Sequence, residues 1–186
     1  MTSSRVSDLK VVVLRWGHRP RDLRVTSHVA LTARAFGASG LVLTDTKDKS
    51  IESTVNKIVG RWGGSFELEM DVPWRSYVRS WKKKGGTTVH LTVYGENIQT
   101  SDVIHRIKRT KKDVLVLVGS QKVPSEFYDE DISDFNVAVG NQPHSEISSL
   151  AIFLHQLFGG QELCREFRNA KLRVIPSNRG KRIISE

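Results

Sequence analysis

Arg24, His28 and Leu31 recur at i, i+4 and i+7, so they share one face of a helix that begins near Arg24. A histidine on such a face titrates near neutrality and could accept a proton. A guanidinium stays protonated and suits a phosphate or a developing alkoxide, acting as a base only if strongly perturbed. His18, Arg19 and Arg21 share the preceding loop, and their types alone do not rank them. Plainer readings stand beside these: a structural histidine at His28, and contacts to a polyanion backbone at Arg19 and Arg24. A second set of residues concerns binding. Three successive apolar runs are followed by glycine: Val93-Tyr94-Gly95, then Val118-Gly119-Ser120-Gln121-Lys122-Val123-Pro124, then Val139-Gly140-Asn141-Gln142-Pro143-His144. Glycine lets a ligand approach the main chain closely, and the N–H and C=O groups of such loops can read an adenine edge without side-chain chemistry. Any one of these glycines could simply make a turn. Three at one sheet edge point to a cofactor pocket, since ligands of open parallel sheets gather beyond the carboxyl ends of strands. No G-x-G-x-x-G follows the first strand and no G-x-x-x-x-G-K-[ST] occurs, which excludes the usual dinucleotide and triphosphate cradles.

The elements that must position these groups are legible as alternating strands and helices. Val11–Leu14 and Leu41–Leu43 read as buried strands flanking a helix over Thr26–Phe36 that Gly37 ends. Ile51, Val55, Ile58 and Val59 mark a second helix closed by Gly63-Gly64, and Phe66–Met70 alternates as a strand. Pro73 is placed to open a third helix. Val89–Tyr94 reads as a strand ending at Gly95, and Val103, Ile104 and Ile107 as a helix. Val114–Val118 and Phe135–Val139 are strands, and Ser145 starts a final helix through Phe158. The expectation is an α/β domain with a mostly parallel sheet and helices on both faces. It spans residues 1–170, and a basic tail over 171–186 packs on it.

Composition narrows the partners. Of 186 residues, 29 are Lys or Arg and 20 are Asp or Glu, and the resulting net charge of +9 attracts polyanions without naming one. The most apolar stretch, Ile147–Phe158, is interrupted by His155 and Gln156 and is too short for a bilayer, so no membrane span is expected. Met1–Lys10 is polar and has no apolar signal core. The single Cys164 excludes an intrachain disulfide and is read as a buried, inert thiol in a reducing cytoplasm. Six histidines are scattered without metal-ligand spacing, so nothing proposes a metal.

The stretches Leu14-Arg15-Trp16-Gly17-His18-Arg19-Pro20, Thr26 to Ala38, and Asn136-Val137-Ala138-Val139-Gly140-Asn141-Gln142-Pro143-His144-Ser145-Glu146 closely resemble the archaeal tRNA cytidine(56) 2′-O-methyltransferase family, of the SPOUT class of knotted methyltransferases. The resemblance runs from about Leu9 to Lys181. It implies a C-terminal trefoil knot, against the usual rule that chains do not thread loops. It also implies a homodimer, tRNA as substrate, and S-adenosylmethionine as methyl donor. Cofactor contacts carried over by position are Leu91 and Thr92, Gly95, Gly119, Ser120, Gln121, Lys122 and Val123, and Val137 to His144, that is Val137, Ala138, Val139, Gly140, Asn141, Gln142, Pro143 and His144. In that setting Arg24, His28 and Arg19 are the candidates for activating a ribose 2′-hydroxyl, a weak nucleophile that benefits from a base or a cation.

Two positions depart from the pattern. Gln121 stands where the family has glutamate, so it is read as a positioning or adenosine-contacting residue. Leu31 replaces an arginine common on this helix in the wider class, so the activating group must come from elsewhere, with Arg24 one or two turns away. For RNA, the candidate contacts are Arg19, Arg21, Arg75, Arg79, Lys82 and Lys83. Trp74, Tyr77, Val78 and Trp81 form an apolar stripe beside the last four, suited to core or interface. Helix Ile147–Phe158 is a candidate dimer seam, with core packing as the equal alternative. Two other functions fit the same residues: a knotted methyltransferase acting on a base nitrogen, and a non-enzymatic basic RNA-binding protein with a vestigial pocket.

Overall fold

The computed structural model describes residues 9–120 and 122–185. Strands β1 (Val11–Arg15), β2 (Gly40–Thr44), β3 (Glu67–Val72), β4 (Thr87–Asn97), β5 (Val114–Val118) and β6 (Phe135–Ala138) form one sheet in the order β3-β2-β1-β5-β4-β6. Every pairing in it is parallel. The central strands are apolar on both faces because both are covered. Val114, Val116 and Val118 of β5 join a core with α1 (Leu23–Ala35), α2 (Lys49–Trp62), α4 (Val103–Thr110) and α5 (Glu146–Phe158), through Val29, Ile51, Ile107 and Phe153. Leu115 and Leu117 face the other way, onto Trp74 and Val78 of α3 (Trp74–Lys83) and onto Phe127 of a 3-10 turn. The tryptophan–tyrosine stripe is therefore core: Trp74 and Val78 are buried, and Tyr77 and Trp81 pack against them.

The structure departs from the sequence reading at three element boundaries and at Cys164, each for a local reason. Helix α1 starts at Leu23, directly after a 3-10 turn over Pro20–Asp22, so Arg24 lies in its first turn. Pro73 precedes α3 in extended conformation and serves as its cap residue rather than its first helical residue. Strand β4 does not end at Gly95. Leu91 pairs with Val137, residues 92–95 bulge out of register, and pairing resumes as Glu96 meets Val137 and Asn97 meets Ala138. Gly95 permits this return, because a Cβ there would stand 2.5 Å from the carbonyl carbon of Asn136 and the nitrogen of Val137. Cys164 is exposed rather than buried, since the inward position of its 3-10 turn is taken by Glu162.

The basic C-terminal residues form a hairpin, β7 (Leu172–Val174) antiparallel to β8 (Ile183–Ser185). Lys171 N–H donates to the Arg61 carbonyl at 3.0 Å, anchoring the hairpin on the end of α2. Arg34 reinforces that corner by donating to the Trp62 and Gly63 carbonyls and lying over the Phe167 ring at 4.3 Å. On α5, Leu150, Phe153, Leu154, Leu157 and Phe158 are buried within the chain, and Ile152 is exposed. Among the described residues no helix is long and apolar enough to cross a membrane.

Candidate active site

From β1 the chain steps outward to β2 and β3, then returns to build β4, β5 and β6 on the other side of β1. A crevice is expected at such a reversal of strand order. A cavity of about 1020 Å³ lies there, walled by the carboxyl ends of β1, β4 and β5, by the loop after β6 and by the start of α5. All three glycine-bearing exits reach it. Leu91, Thr92, Gly119, Ser120, Lys122, Val123, Val139, Gly140, Pro143 and His144 line it. Gly95, Val137, Ala138, Asn141 and Gln142 do not: Val137 and Ala138 are buried inside β6 and Gln142 is exposed. Gln121 lies outside the described residues.

Hydrogen bonds fix the walls. Asn141 Nδ2 donates to the Val93 and Gly95 carbonyls at 2.8 and 3.2 Å, clipping the β4 excursion to the loop after β6. Asn97 Nδ2 in turn donates to Asn141 Oδ1 at 2.9 Å. His144 Nε2–H donates to the Val139 carbonyl at 2.6 Å, and its Nδ1 lies 3.0 Å from Ser148 Oγ. Ser145 caps α5 by accepting from Ile147 N–H. On the β1 side, His18 lies between Thr26 Oγ1 at 2.9 Å and Asp48 Oδ2 at 3.1 Å, which pins the loop carrying Arg19 and Arg21. Burial pushes the Asp48 carboxyl up, but hydrogen bonds from His18, Ser50 and Ile51 outweigh it and leave Asp48 below its ordinary value.

Several cavity residues carry chemistry that the sequence reading did not assign. Arg15 ends an otherwise aliphatic strand and is 1% exposed. Its guanidinium donates to the Gly119 carbonyl and stands 3.6 Å from Glu146 Oε1. Burial pushes its pKa down, and Glu146 and Asp22 oppose that shift. Arg15 Nε and Asp22 Oδ2 are both buried without a hydrogen-bond partner among the described residues. His90, inside β4, donates from Nδ1 to Asn136 Oδ1 at 2.9 Å and meets the rings of Phe127 and Tyr128 edge-on. Burial pushes its pKa below the ordinary histidine value despite the Asn136 bond, and this favours the neutral imidazole. The one available signal was a polar residue interrupting an apolar run, at Arg15 after Val11–Leu14 and at His90 between Val89 and Leu91.

The predicted catalytic residues are not gathered in this cavity. Arg19, Arg24 and His28 are exposed and absent from its lining, whereas Arg21 lines it. Of the α3 cations, Arg75 is paired with Glu126 and Lys82 with Asp134, while Arg79 and Lys83 are exposed. Such pairing competes with any contact to phosphate.

Residues 62–184 match the profile of the family described as tRNA ribose 2′-O-methyltransferase, aTrm56. The tRNA (cytidine(56)-2′-O)-methyltransferase of Hyperthermus butylicus is 52% identical over 95% of this chain and 92% of its own length. The chain belongs to this methyltransferase family. The corresponding protein of Methanocaldococcus jannaschii is 51% identical over 95% of this chain and 97% of its own. Among solved structures, the SpoU methyltransferase AviRb of Streptomyces viridochromogenes, in complex with AdoMet, superposes with a TM-score of 0.55. That match covers 83% of this chain and 58% of AviRb at 16% identity, and it shows a shared fold.

Proposed function

We propose that this chain methylates the ribose 2′-oxygen of cytidine 56 in tRNA, with S-adenosylmethionine as donor. One observation carries the reading: the three glycine-bearing exits meet in one cavity, in a chain half-identical, nearly end to end, to enzymes named for this reaction. The residues present fit that donor. The cavity is at the upper end of the ordinary range for small-molecule sites. Asp22 and Glu146 suit a sulfonium and an ammonium, Arg21 and Lys122 suit a carboxylate, and Leu91, Val123 and Val139 suit an adenosine.

S-adenosylmethionine supplies an electrophilic methyl group on sulfur. The protein's task is to hold the ribose oxygen in line and to manage its proton. Arg15 ties the β5 exit to the start of α5, and Asn141 and His144 hold the other two exits. In this reading the chain is a homodimer in the cytoplasm, with the C-terminal threading of the knotted class and with 171–186 as a unit appended to domain 1–170. The dimer brings the exposed Arg19, Arg24 and His28 of one protomer beside the cavity of its partner. Arg79 and Lys83 add phosphate contacts.

Incubation of unmodified tRNA with methyl-labelled S-adenosylmethionine, followed by nuclease mapping, tests the activity. Label is expected at cytidine 56, and none when that nucleotide carries 2′-deoxyribose; label on the deoxy substrate contradicts ribose methylation. Arg24→Ala tests the catalytic assignment. Turnover should fall by roughly a hundred-fold, the scale of losing one charge-stabilising contact, with cofactor affinity unchanged. Turnover near wild type removes Arg24 from the chemistry.

A further inference from the structure

Tyr94 is 83% exposed, more than any other large apolar side chain of the described residues. It is not on a loose loop. It sits on the four-residue excursion of β4, whose two ends are both paired with Val137. Asn141 holds the carbonyls on either side of it, at Val93 and Gly95. Thr92 Oγ1 accepts from Tyr94 N–H at 3.4 Å and bonds the Tyr128 hydroxyl at 3.0 Å. Tyr128, 39% exposed, has its ring centre 6.5 Å from that of Tyr94 and packs in turn on buried His90. Thr92, Tyr94 and Tyr128 all line the cavity. The fold thus fixes a main-chain excursion at several points and leaves an aromatic ring in water at a cavity wall.

Leaving a tyrosine ring in solvent forgoes the stabilisation that burying it would give. A rigid mount favours stacking, because little conformational freedom is lost when a planar partner arrives. We infer that Tyr94, backed by Tyr128, is a stacking platform for a nucleobase of the RNA beside the ribose being methylated. The chemistry of the partner follows from the setting. RNA is read at unstacked bases by aromatic faces, and the chain's charge of +9 suits the accompanying phosphates. This assignment rests on the RNA-methylation reading and makes Tyr94 a substrate-positioning residue.

The test compares Tyr94→Ala, Tyr94→Phe and Tyr94→Trp in three measurements: tRNA affinity by filter binding, S-adenosylmethionine affinity by calorimetry, and mass by sedimentation. The ring touches few neighbours, so all three variants should fold. The alanine variant should bind tRNA roughly ten- to hundred-fold more weakly, the range for loss of one base–aromatic stack. Phenylalanine and tryptophan should stay near wild type, and cofactor affinity and mass should not change. Unaltered tRNA affinity overturns the proposal. A loss of cofactor affinity also overturns it, by placing the ring against the donor, and a change of mass does so by placing it in a subunit interface. Binding is read without turnover, so an absence of methylation by the wild-type protein would sink the functional reading and leave this measurement to decide on Tyr94.

Discussion

Gly140→Val is expected to abolish measurable S-adenosylmethionine binding in calorimetry while the chain still unfolds cooperatively. Gly140 lines the cavity at φ 70°, in the left-handed region. A β-branched residue there is strained by about 1–3 kcal/mol. Among the described residues no atom beyond the two chain neighbours lies within 4 Å of a Cβ built at Gly140, so the core is not disturbed, and added atoms project into space that a ligand would use. The loop has little room to relax, because His144 bridges Val139 and Ser148 across it. Strain and intrusion together should weaken binding by at least about a hundred-fold, since each 1.4 kcal/mol is a factor of ten. Gly140→Ala, unbranched and smaller, should show an intermediate loss. Wild-type affinity in the valine variant would mean that the cofactor does not pass this turn.

Arg15→Met should be costly in stability as well as in activity. The guanidinium is buried, and its removal leaves the Gly119 carbonyl and Glu146 without their partner. Breaking one side of a buried charged contact costs about 3–5 kcal/mol. Glu146 retains 35% side-chain exposure and can recover some hydration, which places the expected loss near the lower figure. For a chain of this length that is a fall in Tm of roughly 6–12 °C. Adding Glu146→Gln should recover part of the loss, as the coupling in a double-mutant cycle requires. Scanning calorimetry of the two single variants and the double variant checks this. An unchanged Tm in Arg15→Met would show that Arg15 does not bind the β1, β5 and α5 ends together.

Much of the fold was legible because burial on both faces of a parallel sheet leaves unbroken apolar runs. Val114–Val118 and Val11–Leu14 could hardly be anything else, and the intervening helices announced themselves by spacing and terminal glycines. The loops that line the cavity were legible for the same reason, as strand exits with glycine. What stayed hidden depends on pairings between distant segments. Nothing local in Thr92–Gly95 shows that β6 pairs with β4 on both sides of it, so β4 seemed to stop at Gly95. Arg15 looked like a strand terminus, and its role depends on Gly119 and Glu146, more than a hundred residues away. Arg24 and His28 do share a helix face as their spacing requires, yet neither lines the cavity. Helical spacing fixes which side chains share a face, and only tertiary packing fixes what the face meets. Arg75 and Lys82 make the same point, since each is engaged by a carboxylate from residues 126–134.

The most direct measurement is a crystal structure of the protein grown with S-adenosylmethionine. The donor should lie in the cavity with its adenosine against the main chain near Leu91, Gly119 and Gly140, and with its sulfonium on the side of Asp22 and Glu146. A donor bound anywhere else on the chain, or one touching only one of the three strand exits, would contradict the account.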